Sequence, residues 1–145
     1  MSSLPSEIIA VVDDEQIVLR AIERLLRSAD LTARTFTSGA GFLAALPELN
    51  PACVVLDLHM PDVSGFAILE SLRRTVPVVV ITGHDSPEAQ QRALAGGAVA
   101  YFRKPVGEQV LLGAIRAAIS ATSPAKECSE FSTQNPTQLS TTLKP

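Results

Sequence analysis

Cysteine is scarce in this chain: Cys53 sits inside an apolar run and Cys128 in a polar stretch near the end. Two thiols so placed build no disulfide framework, and they suit a reducing cytosol. Cys53 reads as a small buried hydrophobe rather than a reactive thiol. An excess of basic residues is also missing. The 12 Lys and Arg face 15 Asp and Glu, for a net charge of -3, which argues against a protein that grips nucleic acid through phosphate contacts. No run approaches the roughly 18 apolar residues of a membrane-crossing helix. Residues 1–7 lack the basic flank and apolar stretch of a secretion signal. The expectation is a soluble, cytoplasmic protein with no membrane contact. Its 145 residues suit one compact domain, and a hydrophobic content of 46% is ample for a core.

What the chain does contain is a repeated alternation. Four short apolar runs, at 8–12, 53–56, 78–81 and 99–102, read as parallel strands buried on both faces. A weaker, alternating segment at 32–36 reads as a strand at an edge. Helical patterns fill the gaps. Val18, Ile22, Leu25 and Ala29 form one stripe, with Arg20, Glu23, Arg24 and Arg27 off it. Ser38 caps a helix carrying Phe42, Leu43 and Leu46, which Pro47 is expected to stop. Ser64 caps a third helix bearing Leu69 and Leu72. Ser86-Pro87 starts a fourth, ended by Gly96-Gly97. A fifth runs from 108 to about 121, with Leu111, Ile115, Ala118 and Ile119 inward. The fourth has only Leu94 as a large aliphatic, so it is expected to be among the less stable elements. Five strands alternating with five helices give a parallel α/β sandwich with right-handed crossovers. The domain is expected over 8–122, after a short tail at 1–7. A Ser/Thr/Pro-rich segment at 123–145 reads as disordered, or as a linker to an effector domain.

The chemistry lies where the strands end. The first run is followed by Asp13-Asp14, the third strand ends at Asp57, the fourth at Thr82, and the fifth leads into Lys104-Pro105. In open parallel sheets these carboxyl ends form one crevice. An Asp-Asp pair alone often caps a helix or lines a turn, but four coincident polar strand ends are hard to attribute to solvated loops. Three carboxylates held together raise each other's pKa. A divalent cation removes that conflict, and oxygen-only ligands suit Mg²⁺.

These residues resemble a known family. Val11-Val12-Asp13-Asp14, Asp57-Leu58-His59-Met60-Pro61 with Gly65, Thr82-Gly83 and Lys104-Pro105 are similar to the receiver domains of bacterial two-component response regulators. The resemblance covers roughly 8–122 and implies an α/β, doubly wound, flavodoxin-like three-layer sandwich whose five-stranded parallel sheet has the strand order 2-1-3-4-5. It implies that Asp57 accepts a phosphoryl group from a histidine kinase or histidine phosphotransfer protein. Asp14 and Asp57 would bind Mg²⁺ directly, Asp13 through a water, and His59 through its backbone carbonyl. Lys104 would pair with one phosphoryl oxygen and Thr82 would hydrogen-bond another. Tyr101 matches the family's aromatic switch position, although an ordinary edge-strand aromatic reads the same way. The Lys104-Pro105 bond is expected to be cis, a trans turn being the alternative. Such a chain is a signalling phosphoacceptor that assists its own phosphorylation and dephosphorylation, rather than an enzyme acting on other substrates.

Moving a switch from 1% to 99% active takes about 5.5 kcal/mol of differential binding, and one hydrogen bond supplies about 1 kcal/mol. Thr82 alone therefore cannot set it. His59 and His84, each two residues past a site residue, either orient or exclude the water that attacks the acyl phosphate, or are exposed loop residues. The face made by helix 4, strand 5 and helix 5 is the expected surface for a downstream protein or a dimer partner. A stand-alone receiver or phosphorelay intermediate is the favoured output. The alternative is the N-terminal receiver of a DNA-binding transcriptional regulator; this chain shows no basic cluster of its own for nucleic acid. A haloacid-dehalogenase-type phosphatase would carry a second Asp two residues past its nucleophile, where His59 stands. A flavodoxin-like FMN carrier would need a phosphate loop where Asp13-Asp14-Glu15 would repel it.

Overall fold

The computed structural model describes residues 7–72 and 74–122. The elements run β1 (Ile8–Val12), α1 (Gln16–Ser28), β2 (Thr32–Phe36), α2 (Gly39–Leu49), β3 (Cys53–Asp57), α3 (Gly65–Leu72), β4 (Val78–Thr82), α4 (Pro87–Ala95), β5 (Ala98–Arg103) and α5 (Glu108–Thr122). The strands form one sheet in the order β2-β1-β3-β4-β5, with every neighbouring pair parallel. This is the parallel α/β sandwich expected from the apolar runs, in the doubly wound order that the resemblance implies. Cys128 and the Ser/Thr/Pro-rich segment lie outside the described residues, as do residues 1–6.

The unbroken apolarity of the central strands has a direct cause, since alternate side chains enter two different cores. Ala10, Val12, Val54, Leu56, Val78 and Val80 pack with Phe42 of α2, Ile68, Leu69 and Leu72 of α3, and Ala93 of α4. Ile9, Val11, Cys53, Val55, Val79 and Ile81 pack with Leu19, Ile22 and Leu26 of α1 and Leu111, Ile115 and Ala118 of α5. Each fully buried Val, Leu, Ile or Phe contributes about 1.5–3 kcal/mol, so the sheet is anchored from both sides up to its last residues. Burial also pushes the Cys53 thiol up to about 12, which leaves it an inert hydrophobe.

Three expectations need correction. The apolar run at 99–102 is not a doubly buried central strand. β5 lies at the sheet's edge opposite β2, with Val99 54% exposed, because helices cover only part of its outer face. In α1, Leu19 and Leu26 are buried where the pattern assigned Val18 and Ala29, which are half-buried. The two leucines remove more apolar surface from water, and Ala29 already forms the C-cap. Pro47 does not stop α2, which continues to Leu49. Proline near a helix end forfeits one hydrogen bond, and the burial of Leu49 offsets that loss. Asn50, at φ 50, then closes the helix with its N–H on the Leu46 carbonyl.

α4 is held lightly. Ala93 is its one buried residue and Leu94 is 43% exposed. Polar contacts substitute: the Arg92 guanidinium lies 4.1 Å over the Phe66 ring, and Arg74 donates to the Ala95 carbonyl at 2.9 Å. Amides of α4 are expected to exchange with deuterium faster than those of β1, β3 and β4; equal protection would contradict this reading.

Gly65 permits a close approach at the base of the site. Its N–H bonds the Leu58 carbonyl at 3.0 Å, and a Cβ there would fall 2.5 Å from Leu58 Cα and 2.6 Å from the Asp57 carbonyl oxygen. Both are backbone atoms, so α3 would have to move. Gly65→Ala is expected to destabilise the fold by about 1–3 kcal/mol, read as a lower urea midpoint. An unchanged midpoint would show that α3 shifts freely.

Candidate functional site

The sheet's parallel ladders bring distant residues to one mouth. The Asp13 N–H bonds the Phe36 carbonyl at 3.1 Å and the Lys104 N–H bonds the Thr82 carbonyl at 2.8 Å, so hydrogen bonding continues past the ends of β1 and β5. The Lys104-Pro105 peptide bond is cis. Asp13, Asp57 and Thr82 are buried, and Asp14 is exposed. One carboxylate oxygen from each of Asp13, Asp14 and Asp57 lies within 4.8 Å of the others. The Lys104 ammonium lies 2.8 Å from Asp13 Oδ2, 2.8 Å from Glu15 Oε1 and 3.5 Å from Asp57 Oδ2. A cavity of about 350 Å³ opens here, lined by Asp14, Glu15, Asp57, His59, Gly83, His84 and Lys104.

Desolvation dominates the electrostatics. Burial raises the pKa of Asp57, outweighing the His59 N–H that bonds its Oδ1 at 3.2 Å, and the neighbouring Asp13 charge raises it further. Burial likewise raises Asp13, against the pull of Lys104 and of the Glu15 N–H on its Oδ1 at 2.9 Å. Burial alone would lower Lys104. Its 2.8 Å approach to Asp13 and its bond to Glu15, with the Asp13 and Asp57 charges, outweigh that and hold it above its ordinary value. The hydrogen bond from Lys104 lowers Glu15.

Asp13 Oδ2 is buried without a hydrogen bond of its own. Its 2.8 Å approach to the ammonium is an attraction between charges in which no N–H is well directed. A buried, under-satisfied oxygen beside two further carboxylates is a donor set made only of oxygen, and it fits a hard divalent cation such as Mg²⁺.

A second set of polar groups borders the first. Thr82 Oγ1 accepts the His84 N–H at 3.0 Å and lies 3.2 Å from His59 Nδ1. The two imidazoles pack with centroids 4.4 Å apart. The half-buried Tyr101 donates its hydroxyl to Asp85 Oδ1 at 2.9 Å. Asp62, in the loop that carries His59, accepts from the Gly39 and Ala40 N–H groups at 3.2 and 3.0 Å. Those bonds satisfy first-turn donors of α2 and hold the Asp62 carboxyl below its ordinary value.

All the strand-end residues singled out from the sequence thus lie at one mouth. Three contacts were not foreseen: Glu15 on Lys104, Asp62 on α2, and the His59 ring on Thr82. The run of three acids from Asp13 to Glu15 was a signal for the first; nothing in the local sequence marks the other two.

A family model described as the response regulator receiver domain matches residues 9–116. The chain is 37% identical over 123 residues to the response regulator protein TmoT of Ectopseudomonas mendocina, covering 83% of this chain and 56% of that protein. It is 37% identical over 122 residues to the transcriptional regulatory protein KdpE of Mycobacterium tuberculosis, covering 83% and 54%. A crystal structure of a response regulator receiver protein from Burkholderia phymatum is 41% identical with a TM-score of 0.71, covering 82% of this chain and 99% of that one. The chain therefore spans about half the length of the curated relatives it matches.

The raised carboxyls set a pH dependence. A carboxyl whose folded pKa lies above the ordinary 3.8 favours the protonated fold. Its cost to stability therefore appears as pH rises past 3.8 and is complete above the folded pKa. Without divalent cations, Asp13→Asn is expected to stabilise the chain at neutral pH, with the gain vanishing as pH falls below that range. Mg²⁺ at a hundred times its Kd should add about 2.7 kcal/mol to the wild type, and Asp14→Asn should lose most of that gain. Urea unfolding followed by circular dichroism measures both; a wild-type midpoint indifferent to Mg²⁺ would refute the cation site.

Proposed function

Because the chain belongs to the response regulator receiver-domain family, we propose that it accepts a phosphoryl group on Asp57 from the phosphohistidine of a histidine kinase or histidine phosphotransfer protein. The observation that carries this reading is the buried Asp57 carboxylate, ringed by Asp13, Asp14 and the Lys104 ammonium at the mouth of the sheet. An Asp57 oxygen lone pair forms the new O–P bond as the donor's P–N bond breaks, and the donor imidazole nitrogen keeps the bonding pair. Such transfer needs positioning and charge stabilisation more than covalent help. Asp57 is positioned by β3 and by the His59 N–H. Lys104 turns from Asp13 and Glu15 toward a phosphoryl oxygen. Asp14 and Asp57 would hold Mg²⁺ directly, Asp13 through a water and His59 through its carbonyl. Bound Mg²⁺ would offset the charge that these acids and the phosphoryl oxygens accumulate.

The phosphoryl group adds roughly -1.5 to -2 charges, by analogy with other phospho-residues. Thr82 turns toward it, and Tyr101 leaves Asp85 to fill the space. That repacking alters the α4–β5–α5 face, where Leu94, Val99 and Val110 are 43%, 54% and 56% exposed; a downstream protein or a second copy docks there. A mostly apolar cavity of about 440 Å³ between α1 and α5 shares Glu15 and Lys104 with the site. With Ile17 82% exposed beside it, it offers the phosphodonor a surface. Among the described residues no helix is long and apolar enough to cross a membrane, in keeping with a cytoplasmic signalling phosphoacceptor.

The relatives favour a second reading of output. They are about twice as long as the matched region, and one is a transcriptional regulatory protein. In that reading this chain is the receiver of a DNA-binding regulator and itself leaves DNA untouched.

Acetyl phosphate with Mg²⁺ is expected to label the wild type at Asp57 and leave Asp57→Asn unlabelled. Lys104→Ala should be labelled about 10²-fold more slowly. Peptide mapping that places the label elsewhere would refute the assignment. Size-exclusion chromatography with beryllofluoride and Mg²⁺ separates dimerising from monomeric output.

A further inference from the structure

Thr82 is the switch residue of the reading above, and its hydroxyl is already engaged. It is fully buried and has two contacts: the His84 N–H at 3.0 Å and His59 Nδ1 at 3.2 Å. A hydroxyl has one proton to give and two lone pairs to accept with. The His84 N–H occupies one lone pair. If Nδ1 carried a proton, the second lone pair would be filled and the hydroxyl proton, out of reach of water, would have no acceptor among the described residues. A buried donor left unpaired is costly. Nδ1 is therefore the acceptor, with the ring proton on Nε2.

We propose that the His59 side chain is a positioning residue for Thr82, a resting-state latch that accepts the hydroxyl hydrogen bond which a phosphoryl oxygen on Asp57 would otherwise accept. The proposal rests on the phosphoacceptor reading and assigns this ring a role in the switch, separate from any effect on water attack. The same residue touches both ends of the event, because its backbone N–H bonds Asp57 Oδ1 at 3.2 Å while its ring bonds Thr82. His84 reinforces the latch twice. Its N–H orients the Thr82 oxygen, and its ring packs on His59 at a centroid distance of 4.4 Å and a tilt of 44°, which restricts the His59 rotamer. Activation then exchanges one bond of Thr82 for another, so the phosphorylated state gains only the difference between them.

The test is a titration of the full chain with beryllofluoride in the presence of Mg²⁺, followed by backbone amide NMR. His59→Phe keeps a ring against His84 but offers no nitrogen. It should bind the phosphoryl mimic about fivefold more tightly, the effect of one neutral hydrogen bond. In a Thr82→Ala background the same substitution should change nothing. An equal gain in both backgrounds would mean that His59 acts by admitting the ligand, and the latch would be wrong; no gain in either would also overturn it. Imidazole ¹⁵N spectra of the wild type read the latch without any substitution. They should show His59 unprotonated at Nδ1 at rest and shifted on beryllofluoride addition, and a proton on Nδ1 in the resting chain would sink the idea. A wild type that binds no beryllofluoride would instead remove the phosphoacceptor reading, and this inference with it.

Discussion

Asp13 and Asp57, both closed off from solvent, share a single ammonium, that of Lys104, with Glu15 competing for it and Asp14 close by. The rest of the site follows from this shortage of positive charge. Water would normally stabilise such carboxylates, but the cores that bury β1 and β3 exclude it. What remains is an unbalanced cluster whose burial penalty exceeds what one lysine returns. A cluster of this kind has unmet affinity for a cation, and Asp13 Oδ2, with no hydrogen bond of its own, is where that demand is most local.

The scaffold keeps the cluster from relaxing. Hydrogen bonds beyond the formal strand ends fix the backbones of Asp13 and Lys104 at the mouth, so both side chains start from set positions. Gly65 lets α3 begin against the backbone that follows Asp57, and Asp62 ties the intervening loop to α2. The loop bearing His59 is therefore gripped at both ends. By contrast, the neighbouring α4 rests on a cation–π contact and one guanidinium hydrogen bond more than on apolar burial. The support beneath the acids is therefore firmer than the attachment of the helix beside them.

Two polar networks meet at this mouth, one of charges around Lys104 and one of neutral hydrogen bonds around Thr82. His59 belongs to both, through its backbone and through its ring. Tyr101 is tied to Asp85, on the same loop as His84. The arrangement at Thr82 and Tyr101 is thus defined by specific bonds.

Wherever burial on two faces governed an element, the linear pattern was enough to read it. The runs at 8–12, 53–56 and 78–81 read as central parallel strands, and acids or a threonine at the ends of such runs meet at their carboxyl ends. That is why Asp13, Asp57 and Thr82 were legible in the sequence, whereas Lys104 follows the edge strand β5. β5 misled because an apolar run records side-chain chemistry, whereas exposure depends on which helices cover an edge. Pro47 misled because a local rule about helix ends yielded to the burial of Leu49. The Lys104–Glu15 pair joins residues 89 positions apart, and the His59–Thr82 bond joins residues 23 apart. Periodicity carries no information about such pairs. They exist because folding sets two loops at one mouth of the sheet, at a distance that a single side chain can span.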